Sequence, residues 1–207
     1  MSYIKVPMDI EKRSFEIIGE EMGNHNFSER ELSIVKRVIH TTADFEYKDL
    51  IRIDEKSIDE ALSLLKKGCK IYTDTQMIKS GINKKALEKL GCEIVNYVST
   101  EEAFKIAKEK NITRSMAAIE IAMNEGIEFF VFGNAPTALY RLIELYREGK
   151  ADPKFVIGAP IGFVGAAESK EELLKTDLEN ITIRGRKGGS TVSVAIVNAL
   201  MYMVVDR

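Results

Sequence analysis

The chain has 207 residues, of which 45% are hydrophobic and 30% charged, and its 30 basic and 32 acidic residues give a formal net charge of −2. This mixture is typical of one globular domain, and the balanced charge argues against a nucleic-acid partner, which usually requires a basic excess or stripe. The sequence shows no signal peptide and no run approaching the roughly 20 apolar residues of a membrane span, which excludes an integral membrane protein.

The first part of the chain, residues 1–67, carries helix signals. Asp9 is a candidate cap for a first helix with apolar residues at helical spacing. The segment Ser28–Glu31 has the capping-box pattern and opens a second helix that leads to His40. Ser57–Glu60 has the same pattern and opens a third helix, which Gly68 is expected to end.

Five short apolar runs rich in Ile, Val, Phe and Tyr follow, and these compositions predict β-strands. The runs are Cys69–Asp74, Cys92–Val98, Phe129–Asn134, Lys154–Ala159 and Ile181–Gly185. The helical patterns between and after them are Asn83–Leu90, Glu101–Lys110, Arg114–Asn124, Pro136–Glu148, Lys170–Lys175 and Thr191–Val204. The two cysteines each open an apolar run, which favours buried thiols over a disulfide and a reducing, cytoplasmic location.

Apolar strands that alternate with helices predict a parallel sheet covered on both faces. We therefore expect an α/β fold with three layers, α/β/α, and a mostly parallel, five-stranded sheet in the flavodoxin-like order. A helical segment, residues 1–67, precedes the doubly wound part, residues 68–207, within one domain.

Ligands of open parallel sheets bind beyond the carboxyl ends of the strands. The segments predicted to lie there are Thr73–Met77, Gly133–Thr137, Gly158–Lys170 and Arg184–Ser190. The third, GAPIGFVGAAESK, is either the wall of a large ligand site or a plain connection between strand and helix, and its spacing alone does not separate the two. It matches neither a dinucleotide fingerprint nor a Walker loop.

Two of these segments also open helices. In GNAPTAL, Asn134 is a candidate cap and Pro136 suits the first helical position, while free N–H groups there can hold a carboxylate. In RGRKGGS, Arg184–Ser190, three cations precede a helix N-terminus, which favours an anion site over a solvated basic turn.

His40 is the candidate proton donor, because an imidazole is the usual acid or base near neutral pH. Asp44 is close enough in sequence to orient it. A histidine that merely caps its helix is the alternative, and on the local sequence alone it is the commoner arrangement.

Six short segments occur in one order along the chain. They are RSFEII from Arg13, RVIHTTAD around His40, TRS at Thr113–Ser115, GNAPTAL, GAPIGFVGAAESK, and GRKGGS with Asn198 downstream. Together they resemble the precorrin-8X methylmutase family, including its cobalt-precorrin-8 branch, over essentially the whole chain. Each segment is weak alone, but the set is highly specific. One departure is Ile161, where the family pattern has Val.

The resemblance implies a homodimeric isomerase of cobalamin (vitamin B12) biosynthesis with its active sites near the subunit interface. A methyl group would move from carbon 11 to carbon 12 of a corrinoid macrocycle by an acid-assisted 1,5-sigmatropic shift, giving hydrogenobyrinate or cobyrinate. His40 would be the catalytic acid. The implied substrate-binding residues are Arg13, Ser14, Thr41, Asp44, Thr73, Arg114, Ser115, Asn134, Gly158, Pro160, Gly162, Phe163, Arg186 and Lys187.

No resident metal or other cofactor is implied, since any cobalt arrives within the substrate, and neighbouring pathway enzymes are further candidate partners. The sequence is consistent with this, because it has no metal-ligand cluster, no GxSxG elbow and no CxxC pair. Its Lys-, Ile- and Glu-rich composition favours the cobalt-loaded branch. Two alternatives are a non-catalytic corrinoid carrier and a flavodoxin-like binder of flavin or nucleotide.

Overall fold

Helices and strands alternate through most of residues 4–206, which are the residues that this computed structural model describes. The helices are α1 Pro7–Glu21, α2 Glu29–Thr42, α3 Tyr47–Leu50, α4 Glu55–Lys67, α5 Gln76–Gly81, α6 Lys84–Lys89, α7 Glu101–Lys110, α8 Arg114–Asn124, α9 Pro136–Arg147, α10 Ala166–Leu173 and α11 Ser190–Tyr202. The strands are β1 Ile51–Arg52, β2 Lys70–Thr73, β3 Glu93–Val95, β4 Phe129–Phe132, β5 Phe155–Gly158 and β6 Glu179–Ile183. Over the described range, none of the helices combines the length and apolar character needed to cross a membrane. The same range contains no cluster of three or more His, Cys, Asp or Glu that could hold a metal ion.

Residues 4–67 are mainly helical, as predicted, and two of the helix ends follow the local signals. In Ser28–Glu31 both bonds of the capping box are present, and Gly68 ends α4 in the left-handed conformation with φ 75°. The predicted caps at Asp9 and Ser57 are wrong. A proline starts α1, so Asp9 lies inside its first turn, and Asp54 caps α4 by accepting the Ser57 N–H at 2.7 Å.

The sheet has six strands in the order β1-β6-β5-β4-β2-β3, so the expected count of five is wrong by one. The five predicted runs form β2 to β6, which are all parallel to one another. The sixth strand, β1, pairs antiparallel with β6 through Ile51 opposite Ile183. Two residues are too few to form a strand pattern that the sequence could reveal. The pairing arises because the edge of β6 is available to them.

Helices cover both faces of the sheet, which gives the predicted α/β architecture. Along Phe129–Phe132 the side chains alternate between two core clusters, as the two-residue period of a strand requires. One cluster includes residues of α2, α4 and α11, and the other includes residues of α8 and α9. Cys69 is half-buried and Cys92 buried, and both are free thiols, as the sequence predicts.

One cation, Lys170 of α10, lies in the interior and is 0% exposed. Its Nζ donates a hydrogen bond to the carbonyl oxygen of Lys187 at 2.8 Å, which is its hydrogen-bond acceptor among residues 4–206. Burial lowers the pKa of Lys170 to about 8, because desolvation disfavours the charged amine. The buried amine of Lys170 is therefore one of the contacts that hold the segment before α11.

Replacing Lys170 with Met tests this burial through the pH dependence of stability. The pKa is about 8 in the folded chain and 10.5 without burial, so the unfolded chain binds more protons between these values. The free energy of unfolding of the parent should therefore rise relative to K170M as the pH increases through this window, by at most ~3 kcal/mol. Urea denaturation of both proteins at about pH 7.5 and about pH 10 measures the difference. A constant difference contradicts the lowered pKa.

Candidate active site

The carboxyl ends of β2, β4, β5 and β6 lie at one edge of the sheet, because these strands are parallel. The strand order reverses between β2 and β4, since β3 lies on one side and β5 and β6 on the other. Such a reversal opens a crevice beyond the strand ends, and ligands of open parallel sheets bind there. The four segments selected from the sequence follow these strands, so the fold brings them to this edge.

The crevice between β2 and β4 is occupied by a carboxylate of the chain itself. Asp74 directly follows β2 and is 4% exposed. Its Oδ1 accepts the N–H of Gly133 at 3.0 Å, and its Oδ2 accepts those of Asn134 at 2.8 Å and Ala135 at 2.7 Å. Burial raises the pKa of the Asp74 carboxyl, and these backbone donors oppose that rise.

The N–H groups predicted to be free for a substrate carboxylate are therefore already bonded, and that expectation is wrong. Sequence reasoning missed Asp74 as a functional candidate. The available signal was an acidic side chain placed directly after a buried strand, where a charge has to find partners.

Asn134 is exposed at this edge, but it is not the helix cap that the sequence predicted. Ala135 precedes α9 without any side-chain cap, and Pro136 takes the first helical position, as expected. The Asn134 amide therefore faces solvent instead of its own helix. Thr73 differs, because it is fully buried with its hydroxyl near the carbonyl oxygens of Thr75 at 3.3 Å and Val95 at 3.4 Å. Its predicted contact with a ligand is not supported.

Glycine at position 158 is explained by internal packing. A Cβ there would lie 2.6 Å from Cδ2 of Leu173, so the glycine allows α10 to approach the sheet closely. Pro160 is also buried. These two predicted substrate contacts therefore shape the base of the loop and offer no exposed surface to a ligand. Gly162 is half-buried, and its N–H donates to the carbonyl oxygen of Arg186 at 3.2 Å.

The tip of the same loop is apolar and exposed. Phe163 is 82% exposed and Val164 is 90% exposed, and Ile161 stands beside them. The Arg186 guanidinium lies 5.5 Å from the centroid of the Phe163 ring, within the range of a cation–π contact. Two residues predicted from separate segments, Phe163 and Arg186, are therefore brought together at the carboxyl edge.

The three cations of Arg184–Ser190 have different partners. Lys187 Nζ donates to Asp44 Oδ2 at 2.5 Å and to Glu46 Oε2 at 2.6 Å, and these bonds raise the pKa of Lys187 and lower that of Asp44. Arg184 pairs with a glutamate of α10. Arg186 has no carboxylate partner within residues 4–206. It is the cation of this segment that stays available to an anionic ligand.

The glycines of this segment bring the start of α11 against the end of β5. Gly188 has φ 149°, and a Cβ there would lie 2.3 Å from the carbonyl oxygen of Ala159. Gly189 donates its N–H to the same oxygen at 2.8 Å and precedes α11 without a side-chain cap. Ser190 Oγ is 2.9 Å from Thr75 Oγ1, which ties the helix start to the crevice. Only glycine allows the chain this approach.

His40 is exposed near the end of α2, as the sequence predicts. Its ring centroid lies 5.3 Å from that of Phe15 on α1. Asp44 does not orient it within the described chain, because the Asp44 carboxylate accepts from Lys187 and from the Glu46 N–H. A cavity of 220 Å³ begins at the neighbouring residue. Its lining residues are Arg37, Thr41, Met77, Gly81, Thr191, Val194, Ala195 and Asn198.

The two predicted Arg–Ser pairs lie on α1 and at the start of α8. Arg13 is exposed on α1 and forms ion pairs within its own helix, while the Ser14 hydroxyl donates to a backbone carbonyl one turn earlier. Arg114 and Ser115 begin α8, whose cap, Thr113, lies 3.3 Å from a threonine hydroxyl at the start of α9. The Arg114 guanidinium lies 4.7 Å from the centroid of the Phe104 ring. The first pair lies beside Phe15 and His40.

Comparisons with known proteins identify the family of this chain. The family model described as "CbiC: Precorrin-8X methylmutase" matches residues 9–203. The cobalt-precorrin-8 methylmutase of Salmonella typhimurium is 46% identical over 98% of this chain and 98% of its own, and that of Leptospira interrogans is 44% identical over 96% and 94%. The solved structure of the precorrin-8X methylmutase of Thermus thermophilus has a TM-score of 0.88 at 39% identity and covers 95% of both chains. The chain belongs to the precorrin-8X methylmutase family, whose members are isomerases of cobalamin biosynthesis.

Proposed function

We propose that this isomerase moves a methyl group from carbon 11 to carbon 12 of a precorrin-8 macrocycle, with His40 as the acid. The observation that carries the assignment is the exposed imidazole of His40 near the end of α2, next in sequence to a residue that lines a cavity, in a chain of this family. A carrier would need the cavity but no proton donor. The family match therefore favours the enzyme over the non-catalytic carrier.

The reaction is an intramolecular rearrangement in which one carbon–carbon bond breaks and another forms. No atom is gained or lost, so neither a nucleophile nor a redox group is required. A proton on a ring nitrogen raises the electron demand of the conjugated system and returns to the acid after the 1,5-sigmatropic shift. One imidazole can supply this proton, and the remaining requirement is a fixed pose of the substrate.

The exposed polar groups of the edge are suited to hold a flat, many-carboxylate substrate. Arg186, Arg114 and Arg13 provide cations, Asn134 provides an amide, and charge-assisted hydrogen bonds to carboxylates are strong. Phe163 offers an exposed ring against the macrocycle face. We assign Thr41, Ser14, Ser115 and Gly162 to the same set on the family resemblance, whereas Asp44 and Lys187 hold one another and position the loop.

Cobalt enters this proposal as part of the substrate, and the protein is proposed to work without a resident cofactor. The relatives from Salmonella typhimurium and Leptospira interrogans carry names that specify the cobalt-loaded substrate. This supports the cobalt branch that the composition favours.

We also assign the parallel strands to the flavodoxin-like arrangement, on the support of their order β3-β2-β4-β5-β6. In flavodoxin the cofactor binds at the equivalent reversal of strand order. Here Asp74 occupies that crevice with a negative charge. This disfavours the alternative of a flavin or nucleotide binder, because the backbone N–H groups that would hold a phosphate are already bonded to this carboxylate.

A symmetric homodimer with the active site near its interface is part of the proposal. The exposed apolar side chains of the first helical part have no cover within residues 4–206. They are Ile4, Val6, Met8, Ile10 and Ile17. The 220 Å³ cavity lined by Thr41 is also smaller than the ~300–1,000 Å³ usual for sites of drug-sized ligands, and a corrinoid is larger still. A second subunit would provide the missing walls.

Light scattering at micromolar protein should therefore give the mass of two chains. Replacing Ile10 with Asp places a charge in the apolar patch and should shift the mass toward one chain. Phe104→Asp is the matched control, since Phe104 is similarly exposed, at 51%, but lies on α7. A monomeric parent refutes the dimer.

Incubation of the protein with cobalt-precorrin-8 should change the absorbance spectrum, because the methyl shift alters the conjugation of the macrocycle. The product should then bind at low micromolar concentration or below, as expected for many charge-assisted contacts. Turnover should be faster with the cobalt-loaded substrate than with the metal-free one. A bound but spectrally unchanged macrocycle would identify a carrier.

Replacing His40 with Ala should lower turnover by at least ~10²–10⁴-fold, the usual contribution of a general acid. Product affinity should change little, because the carboxylate contacts lie on other residues. His25→Ala is the matched control, since His25 is the other histidine of the chain and lies between α1 and α2. An H40A protein that binds product and turns over at the parent rate would assign His40 to helix capping alone.

A further inference from the structure

Asp74 is the one acidic side chain among residues 4–206 that is buried, and the chemistry proposed above does not use it. We propose that Asp74 is a positioning residue, which acts through the backbone of Gly133–Ala135 to fix the Asn134 amide against the substrate. The inference rests on the proposed function, in which Asn134 contacts the macrocycle.

The backbone of Gly133–Ala135 has the geometry of an anion site, and the Asp74 carboxylate of the same chain is the bound anion. Three successive N–H groups converge on the two oxygens of Asp74 at 2.7–3.0 Å, which is how backbone nests bind anions. The donors lie 59, 60 and 61 residues further along the chain, so the contact joins the end of β2 to the loop after β4. This loop carries no side-chain cap of its own for α9. Asp74 therefore replaces the local signals that usually fix such a turn.

Asp74 is itself held on both sides, so it can act as a rigid reference point. Its N–H donates to the carbonyl oxygen of Val131 in β4 at 3.1 Å. The preceding carbonyl oxygen, of Thr73, accepts a hydrogen bond from the Asn96 side chain at 2.6 Å. The backbone that carries the carboxylate is thus tied to β4 and to the residue that follows β3, so Asp74 fixes the loop relative to the sheet.

The same loop lies against the start of α11. A Cβ on Gly133 would lie 2.8 Å from Cα and 2.9 Å from N of Ser190, so the two backbones are in contact. Thr75, next to Asp74, meets Ser190 through its hydroxyl at 2.9 Å. The loop that carries Asn134 therefore also rests against the start of α11.

A carboxylate is required because three donors need acceptors on both oxygens. Asparagine keeps the shape but turns one oxygen into an NH2 group, which would face an N–H group and leave it without an acceptor. Buried donors left without an acceptor are costly, so the loop of D74N should move. Asn134 would then leave the position that the parent gives it.

The test is a double-mutant cycle on product affinity with the parent, D74N, N134A and the double variant, titrated with cobyrinate and followed by absorbance. We expect each single change to weaken binding ~10-fold, and the double variant to bind within ~2-fold of N134A, because a residue that acts through Asn134 has nothing to position once that amide is gone. The KM for substrate should rise in D74N by more than kcat falls, since His40 is untouched. Thermal melting of all four proteins separates loss of stability from loss of affinity.

The positioning role is overturned if D74N or N134A binds product as well as the parent does. It is also overturned if the losses of affinity of the two single variants add in the double variant. In both cases the parent still converts substrate, so the proposed function stands. A parent that neither binds nor converts the macrocycle overturns the proposed function and this inference together. If D74N does not fold, D74A offers a space that formate can fill. The role is supported if added formate restores the product affinity of D74A but not that of D74A combined with N134A. A folded D74A whose affinity formate does not restore overturns the role.

Discussion

The common direction of strands β2 to β6 is the constraint on which the rest of the molecule depends. Helices cover both faces of the sheet, so neither face has room for a large ligand. The strand ends are the places where loops can gather exposed polar groups. Four segments distant in sequence meet there because their strands point the same way.

At this edge the chain separates polar groups that hold the structure from those that face solvent. Asp74 and Lys170 are buried and each bonds to backbone of a loop, while Lys187 joins Asp44 and Glu46 in the turn that follows α2. Those contacts fix the loops after β4 and β6. Arg186 and the Asn134 amide are among the groups left exposed. They gain defined positions and remain available to a ligand.

Such an edge fits a reaction whose difficulty lies in orientation. A methyl group that migrates within one molecule requires a proton and a fixed substrate, and preorganised contacts are an effective way to provide the second. Buried bonds to loop backbone serve that purpose, because the exposed side chains need not pay the full entropy of ordering when the substrate arrives. Gly188 of GRKGGS allows the close approach to Ala159 on which this depends.

The sequence by itself determined the features that arise from local spacing. Capping signals at Ser28 and Gly68, the five parallel strands and the place of His40 near a helix end could all be predicted, because periodicity and caps act over a few residues. The ordered set of short segments also identified the family, because each segment can be recognised from its residues without knowledge of the fold.

Only the tertiary structure decided which polar group meets which. Asp74 takes the N–H groups of a loop about 60 residues away, and Lys187 pairs with Asp44 across 143 residues. Strand β1 exists only because β6 presents an edge to it, and Gly158 is explained by the approach of α10. No local sequence pattern predicts these contacts. Each depends on whether a segment distant in sequence places a donor, an acceptor or free space beside the residue.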